Sequence, residues 1–241
     1  MKISKQQAKL HNQVMELVES DKSLTLDDKF FILENYQESA TNINGLAGAF
    51  FTPWGLARDA ILEIDNNLNI VDLCAGIGML SFSAMFHKSP KSITCVELNP
   101  EYLKVGKRVL PEANWILGDA LLFNGDSKFD VCISNPPFGV IKTSDYKGKY
   151  KGSEFEYKVI DHASEIARHG MFIIPQLSAG FKLSGNRTFE LYPSSKHSKF
   201  VSDTGINLIN GAGCDTTMYL DDWHGVSPTC EIVICDFEEG Y

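Results

Sequence analysis

A chain of 241 residues, 44% of them hydrophobic, can bury one sizeable core with a small extra element but is short for two full domains. Its 22 Lys and Arg against 31 Asp and Glu give a formal charge of -9, which excludes non-specific coating of nucleic acid, a mode that rests on neutralising many phosphates. The six cysteines, Cys74, Cys95, Cys132, Cys214, Cys230 and Cys235, form no C-x-x-C pair, so buried reduced thiols and no metal site are expected. No apolar run reaches bilayer length and residues 1–7 lack a signal-peptide core, which predicts a soluble cytoplasmic protein with no membrane partner.

In chain order, Leu10, Val14, Leu17 and Val18 recur at helical spacing within residues 5–20. Phe30, Phe31 and Leu33 do the same between Leu26 and Tyr36, with Thr25 and Asp28 placed as a capping box. These two amphipathic helices make an N-terminal extension over 1–40, ahead of a catalytic domain over 41–241. Their apolar faces are expected on their own domain, with a homodimer or a partner subunit as the alternative. Thr52 and Pro53 read as an N-cap with Pro at the first helical position of a helix through Leu56 to Ile64.

From residue 68 the pattern becomes short β-rich runs between helical stretches: 70–74, 93–97, 115–117, 131–134 and 171–174. Such alternation predicts an α/β domain, a parallel sheet covered on both faces. The tail adds Thr217–Leu220 and Cys230–Cys235, expected as a late antiparallel hairpin.

The first strand runs into Asp72-Leu73-Cys74-Ala75-Gly76-Ile77-Gly78, a strand-to-helix turn whose glycines let a backbone approach a ligand closely. Nineteen residues after Gly78, Glu97 ends the second strand, where a carboxylate can accept from both hydroxyls of a ribose; Asp119 follows the third. Carboxyl ends of successive strands are where open parallel sheets bind ligands, so the three together specify a nucleoside. At these residues the chain resembles the class I S-adenosylmethionine-dependent methyltransferases, whose glycine motif reads D/E-x-x-x-G-x-G. The resemblance implies S-adenosylmethionine as cofactor, its methionine part along Ala75, Gly76 and Gly78 with Asp72 beneath. It places the ribose at Glu97 and Leu98 and the adenine at Asp119 and Ala120. It also implies a Rossmann-like fold: a mostly parallel seven-stranded sheet with an antiparallel C-terminal hairpin and helices on both faces.

The fourth strand ends in Asn135-Pro136-Pro137-Phe138. Two prolines fix the backbone and remove two N–H donors, so the Asn135 side-chain oxygen and the Pro136 carbonyl are placed to accept from one exocyclic amine. Conjugation ties up the lone pair of such an amine; two acceptors favour a more tetrahedral nitrogen, and positioning can replace a strong base. Phe138 would stack on the target ring, and a duplex base must be flipped out to reach it. A plain strand-ending turn is the alternative. The motif resembles that of amino methyltransferases acting on adenine in DNA or RNA, and of those acting on glutamine in release factors, which more often carry Tyr fourth.

Gly48-Ala49-Phe50-Phe51-Thr52-Pro53 resembles the aromatic-Thr-Pro segment of restriction-modification adenine methyltransferases, and implies Phe51 lining the site and Thr52 contacting the cofactor carboxylate. The order of segments is that of γ-type adenine-N6 DNA methyltransferases, over about residues 48–175. This makes adenine in DNA the first expectation, with Asn135, Pro136, Pro137 and Phe138 catalytic. RNA adenine, protein glutamine, or a non-catalytic partner subunit are the alternatives. The basic, aromatic-interleaved segment Lys142 to Lys151 reads equally as a phosphate cradle or a solvated loop, and Lys196–Lys199 as a basic loop. One departure stands out: only about 65 residues follow the fifth strand, too few for the usual target-recognition domain.

Overall fold

The computed structural model describes residues 4–37, 50–143, 146–211 and 213–238. Gly48 and Ala49, which belong to the aromatic-Thr-Pro segment, lie outside them. Two helices open the chain, α1 (Lys5–Glu19) and α2 (Leu26–Asn35), followed by α3 (Trp54–Ile61). The sheet begins with β1 (Asn69–Leu73), α4 (Met79–Lys88), β2 (Ser92–Glu97), α5 (Pro100–Val109), β3 (Asn114–Leu117) and β4 (Phe129–Ser134). It continues with α6 (Phe155–Ile166), β5 (Ala167–Pro175) and α7 (Gln176–Ala179). A small hairpin, β6 (Phe181–Lys182) and β7 (Glu190–Leu191), precedes α8 (Ser195–Thr204), β8 (Ile209–Asn210), a 3-10 helix (Thr216–Asp222) and β9 (Cys230–Asp236).

Seven strands form one sheet in the order β3-β2-β1-β4-β5-β9-β8. The first five pair in parallel, and β9 runs antiparallel to both β5 and β8. This is the mostly parallel Rossmann-like sheet expected above. The order reverses between β1 and β4, so their carboxyl ends diverge into a crevice where a ligand can enter. Alternate residues of each strand feed opposite cores. Ile70, Ile93, Cys95, Val131 and Ile133 pack under α3, α4 and α5; Val71, Leu73, Val96, Cys132 and Phe172 pack under α6 and α8.

The N-terminal helices join the first core. Ile32 and Val14 are fully buried and Leu33 nearly so, each such burial stabilising by about 1.5–3 kcal/mol. Both capping boxes form: Asp28 N donates to Thr25 Oγ1 at 3.2 Å and Thr25 N to Asp28 Oδ2 at 2.8 Å, with Ser4 and Gln7 repeating the pattern on α1. Arg108 closes the other end of α1, its guanidinium donating to the carbonyls of Leu17, Val18, Ser20 and Lys22. The buried side of both helices thus packs on the chain's own first core. Among the described residues, no helix is long and apolar enough to cross a membrane.

Three local expectations change. Residues 217–220 are not a strand: Asp215 Oδ1 accepts from Thr217 N and Oγ1, a cap that starts the 3-10 helix, and the strand beside β9 is instead Ile209–Asn210. Lys196 to Lys199 lie in α8 rather than a loop, because Ser194 caps it by accepting from His197 N. The N-cap of α3 is Pro53, not Thr52, and carries no side-chain bond; the Thr52 hydroxyl is engaged elsewhere.

Candidate active site

The chain leaves β1 through Cys74, Gly76 and Gly78 at φ of 62°, 58° and 93°. Side chains crowd the backbone in that region, which glycine tolerates. A Cβ on Gly76 would stand 3.1 Å from the Phe51 ring, and one on Gly78 3.0 Å from Trp115. The turn is fastened to β2 as well: Gly76 N donates to Glu97 Oε2 and Asn99 N to Oε1, both at 2.7 Å. The Glu97 carboxylate is therefore held rigidly at the strand end, and each oxygen keeps a second lone pair for a hydroxyl donor. Burial raises its pKa, opposed by those backbone N–H groups.

A cleft of about 370 Å³ lies over these strand ends, lined by Phe51, Cys74, Gly76, Glu97, Leu98, Asp119, Ala120 and Asn135. Asp119 Oδ1 accepts from Leu121 N at 2.9 Å, which orients the carboxylate. A smaller recess continues from the cleft between Phe51, Thr52, Asp72, Ala75, Gly76 and the first turn of α4, where Met79 and Leu80 line it. A helix N-terminus suits a carboxylate, and that turn opens onto the recess. Gly78 lines neither space; it starts α4 and lets Trp115 pack close.

Two polar atoms on lining residues have no partner among the described residues: Asp72 Oδ1 and Asn99 Nδ2. Asp72 is 1% exposed, and its Oδ2 accepts from Ser81 Oγ at 2.6 Å. Desolvation lifts its carboxyl to about 7, the Ser81 bond opposing and the Glu97 charge adding to the rise. A buried acceptor and a buried donor left unmet each cost about 1–3 kcal/mol, and a ligand with an ammonium at one end and ring acceptors at the other relieves both. The residues present thus fit S-adenosylmethionine.

Asn135 follows β4. Ser134 Oγ donates to the Leu73 carbonyl, tying the end of β4 to the glycine turn. Asn135 Nδ2 donates to the Phe50 carbonyl at 3.1 Å and to Thr52 Oγ1 at 2.9 Å. A backbone carbonyl can only accept, so the amide nitrogen must face it and Oδ1 is turned the other way as an acceptor. The aromatic-Thr-Pro segment and the Asn-Pro-Pro-Phe segment, more than 80 residues apart, meet at this amide. Pro136 is buried and Pro137 lines the cleft. Phe138 does not line it: the ring is half-buried against the first core.

Residues 60–149 match the family model described as the methyltransferase small domain. The sheet order, the nucleoside-sized cleft and this match decide the class. The chain has the class I methyltransferase fold, and its cofactor is S-adenosylmethionine. A proposed RNA methyltransferase from Pyrococcus horikoshii is similar in structure at a TM-score of 0.54 and 19% identity, the alignment covering 81% of this chain and 91% of that one. The modification subunit of a proposed type I restriction enzyme from Vibrio vulnificus is similar at 0.59 and 12% identity, covering 88% of this chain and 50% of that subunit. At such identities the likeness speaks for the fold. No curated protein is significantly similar to the sequence.

Other residues of this methyltransferase cleft carry weaker sequence signals. Asn99 and Pro100 are legible as the cap and first residue of α5, directly after Glu97. Tyr102 lies one turn on, 5.0 Å from the Phe51 ring, and Tyr36 packs 5.8 Å from the same ring, so the N-terminal helices buttress the cofactor wall. Ile141 and Phe155 also line the cleft, and no motif marks them. The segment after the tetrad is neither a free loop nor an array of stacking rings. Tyr150 is 1% exposed, edge-on to the stacked rings of Tyr157 and Phe200, its hydroxyl bonded to Glu154, and Tyr146 donates to Asp161. Among its described residues, those exposed are Lys142, Lys147, Lys149 and Lys151.

Proposed function

We propose that this methyltransferase moves a methyl group to the exocyclic nitrogen of adenine in nucleic acid, with DNA as the substrate. The observation that carries the proposal is the orientation of the Asn135 amide, held from behind by the Phe50 carbonyl and Thr52 so that Oδ1 is left as an acceptor. When bound, S-adenosylmethionine supplies an electrophilic sulfonium methyl. Glu97 binds the ribose hydroxyls, Asp119 and Ala120 the adenine edge, Phe51 covers the glycine turn, and Asp72 receives the ammonium. Asn135 Oδ1 and the Pro136 carbonyl accept from the two hydrogens of the target amine and favour a tetrahedral nitrogen whose lone pair points at the methyl. The charge that develops on nitrogen is stabilised by those two oxygens, and the proton leaves to water after transfer. The reachable part of Phe138 stacks on the target ring.

Of the two structural neighbours, one is named for RNA and the other for a restriction enzyme, and both support nucleic acid as the substrate class. Incubation of the purified protein with methyl-labelled cofactor and, in parallel, DNA, RNA and cell protein tests the assignment. Label is expected in DNA, on N6 of adenine. Label confined to protein refutes the nucleic-acid assignment; label confined to RNA moves it from DNA to RNA.

A further inference from the structure

Charge is divided unevenly along the chain. Residues 142–199 hold ten of the 22 Lys and Arg but six of the 31 Asp and Glu, while the remainder holds twelve against 25. Three of those six acids, Glu154, Glu156 and Asp161, are buried and hydrogen-bonded to Tyr150, Ser178 and Tyr146. What this stretch presents to solvent is therefore mainly cationic, on a protein that is otherwise strongly anionic.

Two of these cations are set apart, Arg168 at the start of β5 with Glu238 and Lys158 buried against Thr143, and several of the others lie beside the cleft. Lys142 lines its mouth. Val140, 71% exposed just beyond the tetrad, bridges to Glu154, and Glu154 holds Lys196 Nζ at 2.8 Å. One turn along α8, Lys199 shares the Asp203 carboxylate with the backbone N of Lys151. The β6–β7 hairpin leads directly into α8; Tyr192 N on the Gly180 carbonyl closes its base, and Ser194 Oγ on the Leu177 carbonyl ties the start of α8 to α7. It carries exposed Arg187 in its turn and Lys182 Nζ 3.4 Å from the centre of the Tyr192 ring. The hairpin is anchored by Glu231, which is 1% exposed and accepts from Leu183 N, Ser184 N and Gln176 Nε2. Phe189, 47% exposed though stacked on Phe181, and Tyr192, 39% exposed beside the Lys182 ammonium, put aromatic surface there.

We propose that this face, from Lys142 across α8 to the β6–β7 hairpin, holds the phosphate backbone of the substrate strand beside the target base, with Phe189 and Tyr192 stacking on flanking bases. The proposal rests on the nucleic-acid function above. Cations meet phosphates, exposed rings meet bases, and the anionic remainder repels the polymer, so the strand is steered to the cleft.

Fluorescence anisotropy with a labelled single strand containing one adenine, as DNA and as RNA of the same sequence, tests it across a salt series. Lys149→Glu with Arg187→Glu is expected to weaken binding about tenfold or more and to flatten the salt slope by about 0.7 for each phosphate no longer neutralised. Lys196→Gln with Lys199→Gln, which spares the buried Glu154 a like charge, is expected to act in the same direction. S-adenosylmethionine affinity and the circular dichroism spectrum should stay unchanged in both. Lys5→Glu with Lys9→Glu on α1 changes the charge as much as the first pair does and should stay within about twofold. Equal losses in that control, or unaltered salt slopes in the face variants, overturn the proposal. If the parent methylates nucleic acid while the face variants keep its KM, the face is wrong and the function stands. If the parent binds neither strand and labels only protein, the function fails and this proposal with it.

Discussion

Replacing Asn135 with alanine is expected to slow methyl transfer by about 10²–10³-fold while S-adenosylmethionine binds within about twofold of its original affinity. The side-chain oxygen acts on the amine as charge develops, so its loss falls on kcat rather than on cofactor binding. Asn135→Asp separates orientation from mere presence of an oxygen. A carboxylate has no hydrogen to offer the Phe50 carbonyl, so one oxygen faces another at the place where Nδ2 now lies 3.1 Å away. That variant should also be nearly inactive although it keeps an acceptor. Thr52→Val removes one of the two bonds that hold the amide, and is expected to lower kcat about tenfold, between the parent and the alanine variant. Single-turnover rates together with calorimetric cofactor binding give the split. A full-rate Asn135→Ala enzyme would remove the amide from the chemistry.

The second large effect concerns Asp72 and pH. Its carboxyl is lifted from 3.8 to about 7 by burial, so the folded, ligand-free protein retains a proton that the unfolded chain releases. Because the folded value is the higher one, this contribution is complete below about pH 4 and is lost as pH rises through about 7, a penalty of order 4 kcal/mol at alkaline pH. An incoming ammonium reverses the balance by favouring the carboxylate, so binding expels the proton. S-adenosylmethionine affinity is therefore expected to climb by up to about tenfold per pH unit from about pH 5.5 and to level off near pH 7. Asp72→Asn should bind the cofactor about 10–100-fold more weakly at pH 8, and its ligand-free Tm should be several degrees above the parent there but not at about pH 4.5. Calorimetry in two buffers of different ionisation enthalpy counts the proton released. Affinity that is flat or falling over that range, or unchanged in Asp72→Asn, contradicts a contact between Asp72 and the ammonium.

The sheet and the cofactor clusters are legible in the sequence because each is written in contiguous residues. Asp72 to Gly78 sits between an apolar run and a helical run, and Glu97 and Asp119 follow the next two apolar runs, so strand ends and ligand groups coincide along the chain. Asn135 is legible as a residue but not as a geometry. Its orientation is set by the backbone carbonyl of Phe50, and a carbonyl leaves no mark on composition. Tyr150 misleads for a related reason: polar, glycine-rich neighbours surround it, yet its ring packs edge-on against the stacked pair Tyr157 and Phe200, partners supplied by α6 and α8. The tail misleads through length. Ile209–Asn210 is too short to show a period of two, and its strand character comes from pairing with Ile234 and Val233, whereas the β-rich run Thr217–Leu220 is turned into a 3-10 helix by Asp215. The basic face cannot be read from the chain order either, since Lys151 and Lys199 meet only through Asp203.

A crystal structure with the demethylated cofactor, S-adenosylhomocysteine, measures most directly whether the cleft and the Asn135 amide form one reaction centre. The ribose is expected on Glu97, the adenine beside Asp119, the ammonium on Asp72, and the sulfur pointing across the gap that a methyl and an amine would fill in front of Asn135 Oδ1. Density for the ligand in any other place, or a sulfur directed away from that oxygen, would contradict it.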